Sequence, residues 1–181
     1  MTTYIENNLE NIRSKFLLMG QLATDSLQLA MESLLEGDTQ KAKIVRKKDE
    51  EIDNLENDLS ANVTSHLSTH APVATDLRLL VSTMKASHEI ERIGDEAKAI
   101  ARRSKNTAIH DFNKIPEMGN IALEMIRDAL SVFAEFDEKK AKNIWTTDLK
   151  VDQLNSDNMT FCQDLVCLLY TSDAADDMAS G

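Results

Sequence analysis

Three pairs of acidic residues stand four positions apart in this sequence. The pairs are Asp49 and Asp53, Glu91 and Asp95, and Asp148 and Asp152. Residues with this spacing lie one above the other on a single helix face, where like charges repel each other. Carboxylate oxygens suit hard metal cations, and facing helices that each contribute acids can build a metal site. These six residues are therefore candidate metal ligands, and the alternative is that they are solvated or paired with a base such as Arg92.

The histidines carry weaker indications of metal binding. His66 and His70 are also four positions apart, but no Glu follows His66, so the pair does not form a zinc-protease motif. We expect both to be surface groups at a helix end, where a cation interacts favourably with the helix dipole. His88 lies shortly before the second acidic pair, and we expect it at the edge of the core, within hydrogen-bonding reach of the acids.

No arrangement typical of a catalytic centre is present. The sequence has no Gly-rich phosphate loop after a strand, no G-x-S-x-G motif and no Cys–His pair suited to nucleophilic catalysis. Cys162 and Cys167 match neither a metal-binding spacing nor a disulfide framework, which fits a reducing compartment. We therefore expect a protein without enzymatic activity.

Charge and hydropathy exclude further classes of protein. Among 181 residues, 20 are Lys or Arg and 31 are Asp or Glu, which gives a formal net charge of −11. Such an acidic chain is unsuited to binding nucleic acid through phosphates, or a membrane surface through a basic patch. No apolar run reaches the roughly 18 residues of a membrane span, and the N-terminus lacks a secretory signal. We expect a cytoplasmic protein.

The elements that carry the acidic pairs are predicted to be helices. Apolar residues recur every three or four positions, no segment alternates with a period of two, and the chain has only 5 Gly and 2 Pro. Helices are predicted from Thr3 to Glu36, then up to His70, from Thr75 as N-cap to about Ser104, up to Phe136, and from Glu138 to about Val166, with a loop from Asn106 to Pro116. The predicted fold class is all-α, an antiparallel helical bundle.

The chain contains an internal repeat with an offset of 99 residues. Across positions 19–58, 13 of 40 residues are identical to the residue 99 positions later, so the first acidic pair maps onto the third pair. The second pair has no equivalent, because the same offset leads past the last residue. We therefore predict tandem three-helix units, residues 1–106 and residues 107–166, of which the second is incomplete and has two helices.

Residues 167–181 differ from the rest of the chain. They lose the helical period, and they resemble the conceptual translation of a sequencing adaptor that was read through into a gene fragment. We predict that the native sequence stops near Val166 and that the tail is non-native. No functional role is therefore predicted for the tail.

Three segments of the second and third helices form a recognisable pattern. Residues 71–78 read Ala-Pro-Val-Ala-Thr-Asp-Leu-Arg, residues 88–95 read His-Glu-Ile-Glu-Arg-Ile-Gly-Asp, and residues 49–53 read Asp-Glu-Glu-Ile-Asp. Together they resemble the PhoU family of phosphate transport system regulatory proteins, and the resemblance covers about residues 1–166. The family is built from two related three-helix units, which accounts for the repeat.

This resemblance implies a function. It implies a cytoplasmic homodimer, peripheral to the membrane, that acts as an adaptor between the ATPase of the phosphate ABC transporter and a sensor histidine kinase. In that role it would be a negative regulator of phosphate uptake and of phosphate-starvation signalling. Some members hold multinuclear metal clusters, which here would contain iron, zinc or magnesium. The ligands that the resemblance implies are Asp49, Asp53, Glu91 and Asp95 in the first unit, and Asp148 and Asp152 in the second, where the partner motif is missing.

Two alternatives remain at this point. A di-iron carboxylate oxidase of the ferritin type needs Glu-x-x-His motifs on two helices, whereas His88 here precedes Glu91 and no second copy exists. The other alternative is a helical regulatory domain of a different anion transporter.

Overall fold

The computed structural model describes residues 2–70, 72–104 and 113–179. These residues form five α-helices and contain no strand, which confirms the predicted all-α fold. The helices are α1 (Thr2–Glu36), α2 (Thr39–Thr69), α3 (Ala74–Arg103), α4 (Ile115–Glu135) and α5 (Glu138–Ala179). Most of the predicted loop from Asn106 to Pro116 lies outside the described residues, and its last two residues belong to α4.

The first three helices pack against one another around two apolar clusters. α1 contacts both α2 and α3, and these two helices also contact each other. Met19, Ile52 and Leu80 are fully buried in the first cluster, and Ala30 and Val45 are fully buried in the second. Full burial of a large apolar side chain stabilises a fold by roughly 1.5–3 kcal/mol, so these clusters hold the three helices in a fixed relation.

A glycine sets the distance between α2 and α3. A Cβ atom on Gly94 would lie 3.0 Å from Cδ1 of Ile52 and 3.8 Å from Oδ1 of Asp49. The absence of a side chain at this position therefore lets the two helix backbones approach closely. This close approach brings the acidic pair of α2 next to the acidic pair of α3.

The turns between α1 and α2 and between α4 and α5 have the same construction. Gly37 and Phe136 both adopt the left-handed backbone conformation, with φ of 69° and 57°. Asp38 and Asp137 follow them, and each carboxylate accepts hydrogen bonds from the N–H groups two and three residues further on. The four residues are two pairs of equivalents under the 99-residue offset, so the structure repeats the hairpin as the sequence does.

α1 and α4 meet through reciprocal contacts. The side chain of Leu130 packs on Gly20, and the side chain of Met31 packs on Gly119. The 99-residue offset converts one pair into the other, so a local two-fold axis between α1 and α4 relates the two units. A Cβ atom on either glycine would overlap with the opposing side chain, which makes both positions sterically restrictive.

Two boundaries differ from the predictions. Thr75 is not the N-cap of α3: the backbone is extended at Val73, the helix starts at Ala74, and no side chain caps it. α5 continues past Val166 to Ala179, because no Gly or Pro interrupts it. The non-native origin of the tail and the domain boundaries stay predictions. No helix formed by the described residues has the length and apolarity of a membrane span.

Candidate metal centre

Asp49 is a buried carboxylate that pairs with a lysine of α3. It lies on the inner side of α2, where only 2% of its surface is exposed. The ammonium group of Lys98, which reaches over from α3, donates a hydrogen bond to Oδ2 of Asp49. The hydrogen bond to Asp49 is the largest cause that raises the pKa of Lys98. Removal of the lysine alone would leave a buried carboxylate unpaired, which is strongly destabilising.

Three further carboxylates surround this ion pair. Oδ1 of Asp95 lies 3.6 Å from the ammonium of Lys98. The pKa of Asp53 is raised, first by burial and then by the charges of Asp49 and Asp95. The pKa of Glu91 is raised by burial and then by Asp95 and Asp53. These four residues, Asp49, Asp53, Glu91 and Asp95, therefore form one electrostatic unit, which we call the acidic cluster.

The bases that the sequence offered as partners do not neutralise Glu91 directly. Arg92 pairs instead with Glu89, at 2.8 Å, and both of these side chains are exposed. His88 is also exposed, and its charge acts on Glu91 only as a minor cause that lowers the pKa. The base that contacts the acidic cluster is thus Lys98, which pairs with Asp49 and Asp95.

Carboxylates such as those of the acidic cluster are the type of donor that a hard cation prefers. The ammonium of Lys98 pairs with Asp49 and Asp95. Burial, followed by the charges of neighbouring carboxylates, raises the pKa of Asp53 and Glu91. Within the part of the chain that the structure describes, however, no three Asp, Glu, His or Cys side chains surround one point as ligands of an ion. A metal-ligating role for the four residues of the cluster stays a prediction.

The second unit presents its acidic pair differently. Asp148 and Asp152 occupy the positions of α5 that correspond to Asp49 and Asp53, yet both are exposed. The five described helices include none that packs on them as α3 packs on α2. The structure therefore does not bring this pair to the other four candidates, and its metal-binding role also stays a prediction.

His66 is a buried polar residue, whereas the sequence predicted a surface position. Only 1% of its surface is exposed, and neither ring nitrogen has a hydrogen-bond partner among the described residues. Its ring stacks on His70 with centroids 4.8 Å apart. Burial lowers the pKa of His66, and the charge of His70 lowers it further. The spacing from the apolar residues Leu59 and Val63 was a signal for this position, because all three lie on the same side of α2.

A large apolar groove opens between α1, α3, α4 and α5. Its volume is about 950 Å³. The residues that line it include Phe16, Ile90, Ile126, Ala129, Phe133 and Ile144. In the first unit, the equivalents of Ile126, Ala129 and Ile144 pack in a buried cluster with two alanines of α3. The groove thus lies on the surface of the second unit that corresponds to the α3-covered surface of the first.

Trp145 is a large apolar residue that does not pack between helices. It is 77% exposed on α5, and Leu149, one turn later, is 62% exposed. Their equivalents in the first unit are Arg46 and Glu50, which are exposed and charged. The second unit therefore carries an apolar surface, defined by Trp145 and Leu149, where the first unit carries charges.

Comparison with known proteins identifies relatives of this fold. The family model described as PhoU domain matches residues 16–104 and 115–179. A Phosphate-specific transport system accessory protein PhoU homolog from Pseudomonas putida is 35% identical over 150 residues, which are 80% of this chain and 59% of the relative. The homolog from Zymomonas mobilis is 34% identical over 153 residues, or 82% of this chain and 65% of the relative. The chain thus spans less than two thirds of the length of these relatives.

Solved structures agree with the sequence matches. The crystal structure of PhoU from Pseudomonas aeruginosa superposes with a TM-score of 0.85 and 29% identity, over 92% of this chain and 80% of that chain. The structure of the phosphate transport system regulatory protein PhoU from Streptococcus pneumoniae has a TM-score of 0.76 and 26% identity, over 83% and 72%. The names of these relatives describe accessory and regulatory proteins and no enzyme. The family match covers both structural units, and the chain belongs to the PhoU domain family.

Proposed function

We propose that this chain is a negative regulator of phosphate uptake and of phosphate-starvation signalling. It acts as an adaptor between the ATPase of a phosphate ABC transporter and a sensor histidine kinase, at the cytoplasmic face of the membrane and as a homodimer. The observation that carries the proposal is the 35% identity to a phosphate-specific transport system accessory protein over 80% of the chain. The ferritin-type alternative is not proposed, because the matched family is a different one.

An adaptor works by contact, and the second unit offers a surface suited to contact. Trp145 and Leu149 are large apolar residues that lie next to each other on the outer side of α5. Exposed Trp residues are enriched among the residues that dominate binding energy in protein interfaces. The net charge of −11 supports a partner with a basic surface, because opposite charges speed encounter and favour the correct orientation.

We further propose that the acidic cluster receives a multivalent cation such as iron, zinc or magnesium. Asp49, Asp53, Glu91 and Asp95 would hold it, and the cation would neutralise the repulsion between α2 and α3. The support for this proposal is the proximity of carboxylates from two helices: the pKa of Asp53 and Glu91 is raised first by burial and then by the neighbouring carboxylates. The cation would thereby stabilise the first unit rather than take part in a reaction.

Co-purification tests the adaptor proposal. The tagged chain is expressed in phosphate-replete cells of its own source, and the bound proteins are identified by mass spectrometry. We expect the transporter ATPase or the sensor kinase to be recovered, and Trp145→Ala with Leu149→Ala to reduce the recovery several-fold. Ile44→Ala is the matched control, because Ile44 is an apolar residue of the first unit that is 48% exposed. Recovery of neither protein with a chain of normal helical content contradicts the proposal.

A further inference from the structure

The junction between α2 and α3 is anchored in the core by one histidine. His66 is the last buried residue of α2, and the first buried residue of α3 is Leu80. Residues 67–79, which comprise the end of α2, the turn and the start of α3, are here called the connecting segment. Among the described residues of this segment, none is buried. His66 therefore supplies the buried side chain nearest to the connecting segment on α2.

The buried position of His66 accepts the neutral ring and disfavours the charged one. On the same side of α2, Leu59 and Val63 are fully buried, so the ring continues an apolar stripe. Neither ring nitrogen has a hydrogen-bond partner among the described residues, whereas both would bind water if the ring were exposed. Protonation adds a second donor and a net charge, and burial of an unpaired charge costs far more than burial of a neutral polar group.

Two charged groups act on the ring from the helices around it. His70 stacks on it from α2, with centroids 4.8 Å apart, and Asp76 lies in the first turn of α3. Burial and then the charge of His70 lower the pKa of His66, and Asp76 is the smallest of the three causes and acts in the opposite direction. The carboxylate of Asp76 therefore does not compensate for the burial of the imidazole.

We propose that His66 is an acid-sensitive switch, whose protonation in mild acid withdraws the ring from the core and releases the connecting segment while the rest of the bundle stays folded. In the released state the imidazolium is hydrated. The described residues of the connecting segment have no buried side chain that would oppose this release, and no side-chain cap fixes the start of α3. Withdrawal of one ring is therefore sufficient to open the segment.

The switch has a consequence for the apolar groove. Thr75, Arg78 and Leu79 of the connecting segment line this groove together with residues of α4 and α5. Release of the segment removes that part of the wall, so the protonation of His66 changes the shape of the groove. This inference concerns the chain itself and is independent of the partners proposed above.

Hydrogen exchange of the whole chain tests this inference. The amides of His70 and Leu77 donate to the carbonyls of His66 and Val73, so their protection reports on the connecting segment. Protection is compared at pH 7.5 and pH 5.5 after correction for the intrinsic effect of pH on exchange. We expect it to fall by about three-fold to ten-fold, because pH 5.5 lies one unit below the ordinary pKa of 6.5 and the closed state stays neutral.

Variants that cannot titrate provide the decisive comparison. His66→Leu and His66→Gln are both expected to lose the pH dependence in the connecting segment, even where their protection at pH 7.5 is lower. His88→Gln is the matched control, because it removes an exposed histidine of α3, and it should keep the pH dependence.

Three results overturn the inference. The first is equal protection of the wild type at both pH values, and the second is an equal fall in His66→Gln. The third is protection of the connecting segment as high as that of the buried centre of α2 around Ile52, because the segment would then open only when the whole chain unfolds.

Discussion

At the scale of single residues, the contact between α2 and α3 contains a few charges, of which Asp49 is buried. The sequence predicted that the acids of these helices would share a region, since their spacing places them on the faces that meet. It did not predict Lys98, although the spacing from Asp95 was a usable signal. The reason is that a lysine three residues from an acid normally forms an exposed pair within its own helix, whereas Gly94 here lets it reach the neighbouring helix.

Glu91→Gln is expected to stabilise the metal-free protein at pH 7. The folded-state pKa of Glu91 is raised, so stability falls as pH rises through that pKa, where the carboxylate ionises. Removal of the charge avoids the cost of burying it and relieves the repulsion by Asp95 and Asp53, the repulsion being on the order of a few tenths of a kcal/mol. Urea unfolding in the presence of a chelator at pH 7 and at pH 4 measures the effect, which shrinks at the lower pH. Glu89→Gln is the control, because Glu89 pairs with Arg92 and no gain is expected.

His66 is expected to make the protein less stable in mild acid. Its folded-state pKa lies below the ordinary value of 6.5, so the unfolded chain binds the proton more readily. The contribution of neutral His66 to the free energy of unfolding is therefore complete above pH 6.5. It is lost as pH falls from there towards the lowered pKa. Thermal unfolding between pH 7.5 and pH 5 measures the slope of stability against pH. This slope is expected to be smaller in His66→Leu. An equal slope in His66→Leu would assign the acid sensitivity to other groups.

At the scale of elements, the sequence predicted the helices correctly but placed some of their ends incorrectly. The apolar period predicted all five helices, because each buries one side against a neighbour. The predicted start of α3 at Thr75 was wrong, because threonine is only statistically preferred as an N-cap. The residue after Pro72 is extended, and the helix begins directly after it without a side-chain cap. Trp145 is exposed although its size favours burial, because the packing of α5 leaves it on the outer side.

Gly37→Ala is expected to destabilise the first hairpin by about 1 kcal/mol or slightly more, because a side chain is disfavoured in the left-handed conformation. The φ of Gly37 is 69°, and nothing lies within 4 Å of an added Cβ, so the cost comes from the backbone alone. Guanidinium unfolding measures the change. Gln40→Ala in the same turn is the control, because Gln40 is exposed and its backbone N–H still reaches Asp38. Equal stabilities of the two variants would contradict the account of this turn.

At the scale of the whole molecule, the repeat explains both the symmetry and the position of the apolar groove. The offset of 99 residues predicted two related units, and the reciprocal contacts of Gly20 and Gly119 show how they pack. The repeat did not predict the volume of the groove, because that depends on how far α4 and α5 stand from α1 and α3. It also did not predict the apolar surface at Trp145 and Leu149, where the two units differ in sequence.

The apolar groove is expected to bind hydrophobic dyes. Anilinonaphthalene sulfonate should become fluorescent with the native chain at pH 7, because a groove of about 950 Å³ accommodates a small aromatic molecule. Ala129→Glu is expected to reduce the fluorescence several-fold, since it places a charge in the groove at an exposed position. Ala61→Glu is the control on the outer side of α2. Equal fluorescence of both variants would place the dye elsewhere.

The central claim is that Asp49 and Lys98 form one unit that holds α2 against α3. A double-mutant cycle tests it most directly, with urea unfolding of Asp49→Asn, Lys98→Met and the double variant in the presence of a chelator. We expect Lys98→Met alone to be the least stable, by about 1–3 kcal/mol after allowance for its partial exposure, because it leaves a buried carboxylate unpaired. The double variant should recover much of this loss. Additive effects, with a double variant less stable than either single variant, would contradict the account.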